Sequence, residues 1–278
     1  MKLQSLIQQI LQKRSYLCVG IDPDEKLLPN SLSSIGIAGI EKFCLSIIDA
    51  TAPFCVAFKP NFAFFEAFGA DGFGLLEIIS GHIRKKHPHH FLIADAKRGD
   101  IGNTSARYAE AILTKLNFDA ITVSPYMGED SVKPFFLEGK WVILLMLTSN
   151  KGSENFQKLS VGMSGEPLYV EVGRNAMQWG NTENLMFVTG ATHPDELKKI
   201  RQLFRDYFLL IPGVGAQGGS LLEVSQSALN ESVGILVNSS RGIIHSSSAE
   251  DYLEQAVLAS SMMQKEMEEI MRSKGLVQ

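Results

Sequence analysis

Eight short apolar runs recur along this chain, each separated from the next by room for a helix. They are Leu17–Ile21, Phe54–Phe58, Phe91–Ala94, Ala120–Val123, Val142–Met146, Leu185–Val188, Phe208–Ile211 and Ile235–Val237. Near-continuous apolar runs of this kind belong to strands covered on both faces, the condition of a parallel sheet. Between them lie the periodic stretches Ile40–Ile48, Gly74–Ile83, Ser105–Leu116, Glu166–Gln178 and Pro194–Phe204. Strand and helix in alternation predict βαβ units. A length of 278 residues suits a (β/α)8 TIM barrel with additional N- and C-terminal helices, residues 1–278 forming a single barrel domain. A doubly wound open sheet is the alternative, and eight repeats without a second composition fit it less well.

Hydrophobic residues at 45% and charged residues at 20% are ordinary for a globular chain. The formal net charge of −4 argues against nucleic acid as a partner, because a phosphate backbone demands a basic face. A small phosphorylated ligand needs only a local site. Cys18, Cys44 and Cys55 are dispersed and lack CxxC spacing, so they read as reduced, buried small hydrophobes. Residues Met1–Lys13 form an amphipathic pattern too polar for a signal peptide, and no run approaches membrane-spanning length. A cytoplasmic location is the expectation.

The third apolar run ends in Asp95-Ala96-Lys97-Arg98-Gly99-Asp100. Strand side chains alternate between faces, so Asp95 and Lys97 are expected on one face with Ala96 on the other. Lys59, followed by Pro60, stands at the equivalent end of the second run. Alternating charges at the ends of parallel strands carry a desolvation cost that packing alone does not justify. They predict an active site at the C-terminal mouth of the barrel, where catalytic residues of this architecture gather. A structural ion-pair network bracing that mouth is the competing reading.

Pro212–Gly219 follows the seventh run and Asn238-Ser239-Ser240-Arg241-Gly242 the eighth. Glycines let backbone N–H groups approach an anion, and Arg241 offers a planar bidentate donor. These two loops are where such barrels usually hold phosphate. The Ser-, Gly- and Asn-rich stretch of roughly Ser149–Gly165 is long enough to be a lid. Asn103 or Thr104 is expected to cap the helix after the charged motif. Ser248 with Asp251 resembles a capping box for a C-terminal helix running to about Met271, with Lys265, Glu266, Glu268 and Glu269 on its solvated face. Asp22 and Asp24 are either site residues or turn and cap residues. His82, His87, His89 and His90 fall in a helix-to-strand connection at the opposite end, which predicts solvated surface rather than metal ligands. His193, before Pro194, is expected to start a helix.

The run Ile93–Thr104 resembles the signature of the orotidine 5′-phosphate decarboxylases, specifically their longer bacterial subfamily. Val19–Asp24, Phe58–Glu66, Leu147–Asn150 and Pro212–Gly219 are similar to the same subfamily, so the resemblance covers nearly the whole chain. It implies conversion of orotidine 5′-monophosphate (OMP) to UMP and CO2, the last step of de novo UMP synthesis, with no metal and no organic cofactor. Lys97 would deliver the proton, Asp95 would lie against the departing carboxylate, and Lys59 would hold Asp95 and the ribose. Asp100 would reach into the partner's site in a homodimer. Asp22 would bind ribose hydroxyls, Ser149 the pyrimidine edge, and Gln217, Gly218 and Arg241 the phosphate. Thr104, Asp24, Asn61 and Arg174 would touch substrate or support residues that do.

Two other functions stay open on the sequence. A sister sugar-phosphate decarboxylase or aldolase would need Mg²⁺ and a second carboxylate near Asp95, where Lys59 stands instead. A catalytically silent nucleotide-binding protein would be expected to have lost one of the charged residues after the third run. A fused phosphoribosyltransferase is not expected at this length.

Overall fold

A computed structural model describes residues 1–278 apart from Ser164, Thr192, His193 and residues 215–218. Eight parallel strands close into a barrel. They are β1 (Leu17–Ile21), β2 (Ala57–Pro60), β3 (Phe91–Arg98), β4 (Ala120–Val123), β5 (Trp141–Leu147), β6 (Leu185–Thr189), β7 (Phe208–Pro212) and β8 (Ile235–Ser239). The seam closes where Leu17 of β1 pairs with Val237 of β8, and β1 continues into β2 with Cys18 opposite Ala57. Every residue of β1, β4 and β6 is buried, as strands packed inward on the barrel core and outward on helices must be. At the seam a side chain on Gly20 would put its Cβ 1.9 Å from Ser240 Oγ, so the close approach of β1 to the β8 end requires glycine there.

Strand β2 begins three residues later than its apolar run because residues 52–54 complete a turn after the helix Ile37–Thr51. That shift carries β2 through Lys59 and Pro60, placing Lys59 inside the sheet rather than beyond it. The expected helices are present, with Gly102–Ala109 continuing into a wider π-helical turn over Glu110–Lys115. The N-terminal helix Leu3–Lys13 buries Leu6 and Ile10. Its Lys13 Nζ donates to the carbonyls of Ala52 (2.6 Å) and Cys55 (2.8 Å), and the Met1 ammonium meets Asp119 at 2.9 Å. The helix therefore ties down the segments entering β2 and β4. The C-terminal helix Tyr252–Ser273 buries Met267 and Met271, and Tyr252 stacks on Phe43.

Several local expectations are corrected. Ser248 and Asp251 form no capping box: Asp251 turns back to accept from Ser247 Oγ at 2.6 Å and from Gln255. Asn103 and Thr104 are exposed residues of the first helical turn, not caps, because the helix begins at Gly102 after Ile101. The stretch Ser149–Gly165 holds a 3₁₀ turn over Lys151–Asn155 and the first strand of a hairpin, Ser160–Val161 against Glu166–Pro167. Arg174 is an exposed residue of the helix Leu168–Trp179, its guanidinium 4.0 Å from Glu171. His193 lies outside the described residues, immediately before the helix Pro194–Leu203.

The histidine connection is not simply solvated. His90 is buried, stacks on Phe58 and meets Lys13 Nζ at 2.9 Å. Burial, reinforced by the Lys13 charge, lowers its pKa to about 4. An unfolded histidine titrates near 6.5, so between these values the unfolded chain binds the extra proton and stability falls as pH falls. The full effect of such a shift is about 3 kcal/mol, reached only below the folded pKa. We expect His90→Gln to flatten the acid limb of stability, read from urea unfolding at pH 6.5 and 4.5. An unchanged slope would place the acid sensitivity elsewhere.

Candidate active site

The charged residues converge where β2, β3 and β4 end. Lys59 Nζ lies 2.6 Å from Asp95 Oδ2, and Lys97 Nζ lies 2.5 Å from Asp95 Oδ1, so one carboxylate bridges two ammonium groups. The Lys59 side chain is 5% exposed, that of Asp95 11%, and that of Lys97 52%. Burial by itself would raise the Asp95 carboxyl and lower the Lys59 ammonium. The mutual attraction outweighs it, holding Asp95 below the usual carboxylate range and Lys59 above the usual lysine range. Asp22 adds to the negative field at Lys59. Asp95 and Lys59 are thus ionised throughout the neutral range, and Lys97, half-exposed, is open to whatever enters the mouth.

Strand alternation predicts the pairing of Asp95 with Lys97 but not the backbone that achieves it. The β3–β4 register shifts between Ala94 and Arg98, and Lys97 sits at φ +46°, the left-handed region. Thr122 of β4 underlies this bulge. Its Oγ1 accepts the Lys97 N–H at 2.8 Å and donates to Asp95 Oδ1 at 3.1 Å. Arg98 braces the far side, paired with Glu66 and packed between the rings of Phe62 and Tyr108. A threonine inside an apolar strand reads as core in the sequence, and its companionship with Lys97 follows only from the β3–β4 register.

Other expected residues sort by strand end. Asn61, after β2, bridges to Asp95 in the sheet. Asp22, after β1, is half-buried, and its Oδ1 finds no hydrogen-bond partner among the described residues. Asp24 is a cap: its carboxylate accepts the Lys26 N–H of a 3₁₀ turn. Ser149, after β5, lies against Gly190, where an added Cβ would stand 2.8 Å from the Ser149 backbone. Thr189 Oγ1 at the end of β6 and Asn238 Oδ1 at the end of β8 are further buried atoms without partners among the described residues. Unpartnered buried polar atoms at three strand ends suit a ligand that brings hydrogen-bonding groups of its own.

The β7 and β8 ends are neighbours, Asn238 pairing with Pro212. Val214, Gly219, Ser239 and Gly242 share a cleft of about 870 Å³ with Met263 and Lys265 of the C-terminal helix. Arg241 is exposed at the start of the short helix Arg241–Ile244, and its guanidinium forms no ion pair among the described residues. Gln217 and Gly218 lie outside the described residues.

Within the single chain the Asp100 carboxylate accepts the neighbouring Ile101 N–H, while Ser105 Oγ holds the Asp100 backbone. The Lys97 side chain is half-exposed there. Among the described residues, the group able to gather three ligands on a metal is Asp49, His82 and His87, on helices of the outer layer at the opposite end. There both histidines already bond Asp49 Oδ1 at 2.7 Å and Lys86 holds Oδ2 at 3.0 Å, so a cation there would have to displace an ammonium.

The fold is a (β/α)8 barrel with a cluster of charges presented at its strand ends. Residues 15–256 match the orotidine 5′-phosphate decarboxylase / HUMPS family, and the chain belongs to it. It is 48% identical over 272 residues to an orotidine 5′-phosphate decarboxylase of Phocaeicola vulgatus, covering 98% of this chain and 99% of that one. The same identity extends over 278 residues, all of both chains, to that of Porphyromonas gingivalis. Among solved structures, Leishmania donovani OMP decarboxylase superposes with TM-score 0.83 at 35% identity, covering 97% of this chain and 98% of that one. A putative orotidine-monophosphate-decarboxylase of Toxoplasma gondii gives TM-score 0.86 at 33% identity, covering 99% and 97%. The chain is thus a carboxy-lyase by kinship. No helix among the described residues is long and apolar enough to cross a membrane.

Proposed function

We propose that this enzyme decarboxylates OMP to UMP and CO2, supplying UMP in pyrimidine synthesis, by electrostatics alone. The observation that carries the reading is the Lys59–Asp95–Lys97 chain of ion pairs at the strand ends, in a chain akin to these decarboxylases over its full length. Loss of CO2 from this ring leaves an electron pair in the ring plane, out of reach of the ring carbonyls. A positioned cation is the remaining means of stabilising it. Lys97 holds that cation at the mouth and serves next as general acid to the same carbon.

Asp95 meets the substrate carboxylate. Two like charges about 4 Å apart repel by roughly 4 kcal/mol at an effective dielectric of 20. That repulsion is part of the barrier reduction, while enzymes commonly achieve about 8–23 kcal/mol. The rest comes from Lys97 and from remote binding of ribose and phosphate. Lys59 and Asp22 take the ribose hydroxyls, Ser149 the pyrimidine edge, and Gln217, Gly218 and Arg241 the phosphate, with Thr104 beside the mouth. Ser149–Gly165 closes over the nucleotide, Phe156, Leu159 and Met163 supplying its exposed apolar side.

Working as a cytoplasmic homodimer completes the site. Ile101, Tyr126 and Met127 are exposed around the β3 and β4 ends, an apolar rim suited to a second copy. Such a partner buries Lys97 and brings its own Asp100 to it. Mixing inactive Asp100→Ala and Lys97→Ala chains therefore restores activity, since each hybrid dimer has one intact site. Random exchange gives about a quarter of the wild-type rate per chain. No recovery from mixed dimers verified by mass would contradict the sharing.

The reading as a whole is tested by product analysis. One CO2 and one UMP per OMP consumed is expected, with orotidine lacking the phosphate slower by several orders of magnitude. Turnover of a sugar phosphate with Mg²⁺ instead would assign the chain to the aldolase-like branch.

A further inference from the structure

We infer that Thr122 is a positioning residue for the reaction, its hydroxyl holding both the Lys97 backbone in its left-handed turn and the Asp95 carboxylate that Lys97 pairs with. The inference rests on the decarboxylase reading above and adds a residue to it. Three observations converge. Lys97 is one of four non-glycine residues with positive φ among those described, and it carries the cation assigned to the chemistry. A lysine adopts that conformation only where its surroundings impose it, and such strain gathers at functional sites. The register of β3 against β4 shifts at this place, so the regular ladder does not supply the partner for the Lys97 N–H.

Thr122 Oγ1 supplies it at 2.8 Å. The same oxygen has a single proton to give, and of its two acceptors Asp95 Oδ1 at 3.1 Å is closer than the Ala94 carbonyl at 3.4 Å. One buried hydroxyl thus accepts from the backbone of the proton donor and donates to its counter-ion. Its own place is fixed, because Thr122 pairs with Ile143 of β5 inside the barrel wall. The Asp95 oxygen that Thr122 binds is the one that meets Lys97 Nζ, so the hydroxyl sets the direction from which the ammonium is held. The hydroxyl's bonds run to the Lys97 backbone, the Asp95 carboxylate and the Ala94 carbonyl. It acts through the bulge.

Thr122→Ser and Thr122→Ala test this, since both lose the same methyl and differ only in the hydroxyl. Steady-state kinetics on OMP, UMP affinity and thermal melting are measured for both beside the wild type. The expected result is kcat within about threefold of wild type for Thr122→Ser. For Thr122→Ala we expect kcat lower by about 10- to 100-fold, with KM and UMP affinity within threefold. Thr122→Val, which keeps the volume and loses the hydroxyl, should match Thr122→Ala. If it does not fold, the Ser–Ala pair still decides. Equal losses in Thr122→Ser and Thr122→Ala, or equal retention, would overturn the role. So would a loss confined to KM, because binding and not the bulge would then be at stake. An inactive wild type would instead overturn the decarboxylase reading, so the two failures are distinguishable.

Discussion

Replacing Lys97 with alanine is expected to remove turnover while leaving UMP bound. Within one chain the side chain is half-exposed, and Asp95 keeps its pairing with Lys59. Loss of Lys97 thus opens no cavity in the barrel core and orphans no carboxylate there. Thermal stability should therefore change little. Chemistry loses two contributions at once. A positioned general acid contributes about 10²–10⁴-fold, and a charge placed against the developing anion about 10²–10³-fold. Acting on one carbon, they predict a fall in kcat of at least about 10⁴-fold, measured by OMP consumption at saturating substrate. Calorimetric titration with UMP should still give one site per chain. Retention of turnover within tenfold of wild type would remove Lys97 from the role of proton donor.

Asp95→Asn should damage both activity and stability, which separates it from the lysine variant. The substitution keeps the shape and a hydrogen-bonding oxygen for Thr122, but leaves the Lys59 ammonium, 5% exposed, without its nearest anion. Breaking a buried pair from one side costs about 3–5 kcal/mol, because the remaining charge stays desolvated. The Asp95 carboxyl is depressed in the folded chain, so its stabilisation is present above the unfolded carboxylate pKa and is lost only as pH falls below it. At neutral pH the full destabilisation is thus expected, and it should shrink in acid. Adding Lys59→Met to Asp95→Asn should recover much of the stability and none of the turnover. Urea unfolding of the two single variants and the double variant measures this cycle. Additive losses would mean that the two residues do not form the pair seen here.

The barrel was legible because a strand covered on both faces leaves a continuous apolar run. For β1 and β4 the runs end where the strands end. Strand β2 was misplaced by three residues, since the turn before it is itself apolar and composition does not mark where hydrogen bonding begins. Asp95, Lys97 and Lys59 were legible as charges that an apolar strand end has no other reason to hold. What periodicity could not reveal is the bulge at Lys97, because a left-handed lysine has no sequence mark of the kind glycine gives. Thr122 was hidden for a related reason: its partner lies 25 residues away and is defined by register. His90 looked like surface in a run of polar neighbours, yet it is buried beneath Lys13 and Phe58, contacts made by distant parts of the chain. Asp100 is the opposite case. Its motif spacing is plain, but within one chain its carboxylate accepts the neighbouring Ile101 N–H instead of pairing with Lys97.

The measurement that tests the central claim most directly is the absorbance change of OMP mixed with the purified protein after exhaustive EDTA treatment and dialysis. The charged network at the β2 and β3 ends predicts rapid, complete conversion to UMP at a rate unaffected by added Mg²⁺. Absence of turnover with UMP still bound, or turnover that returns only with a divalent cation, would contradict it.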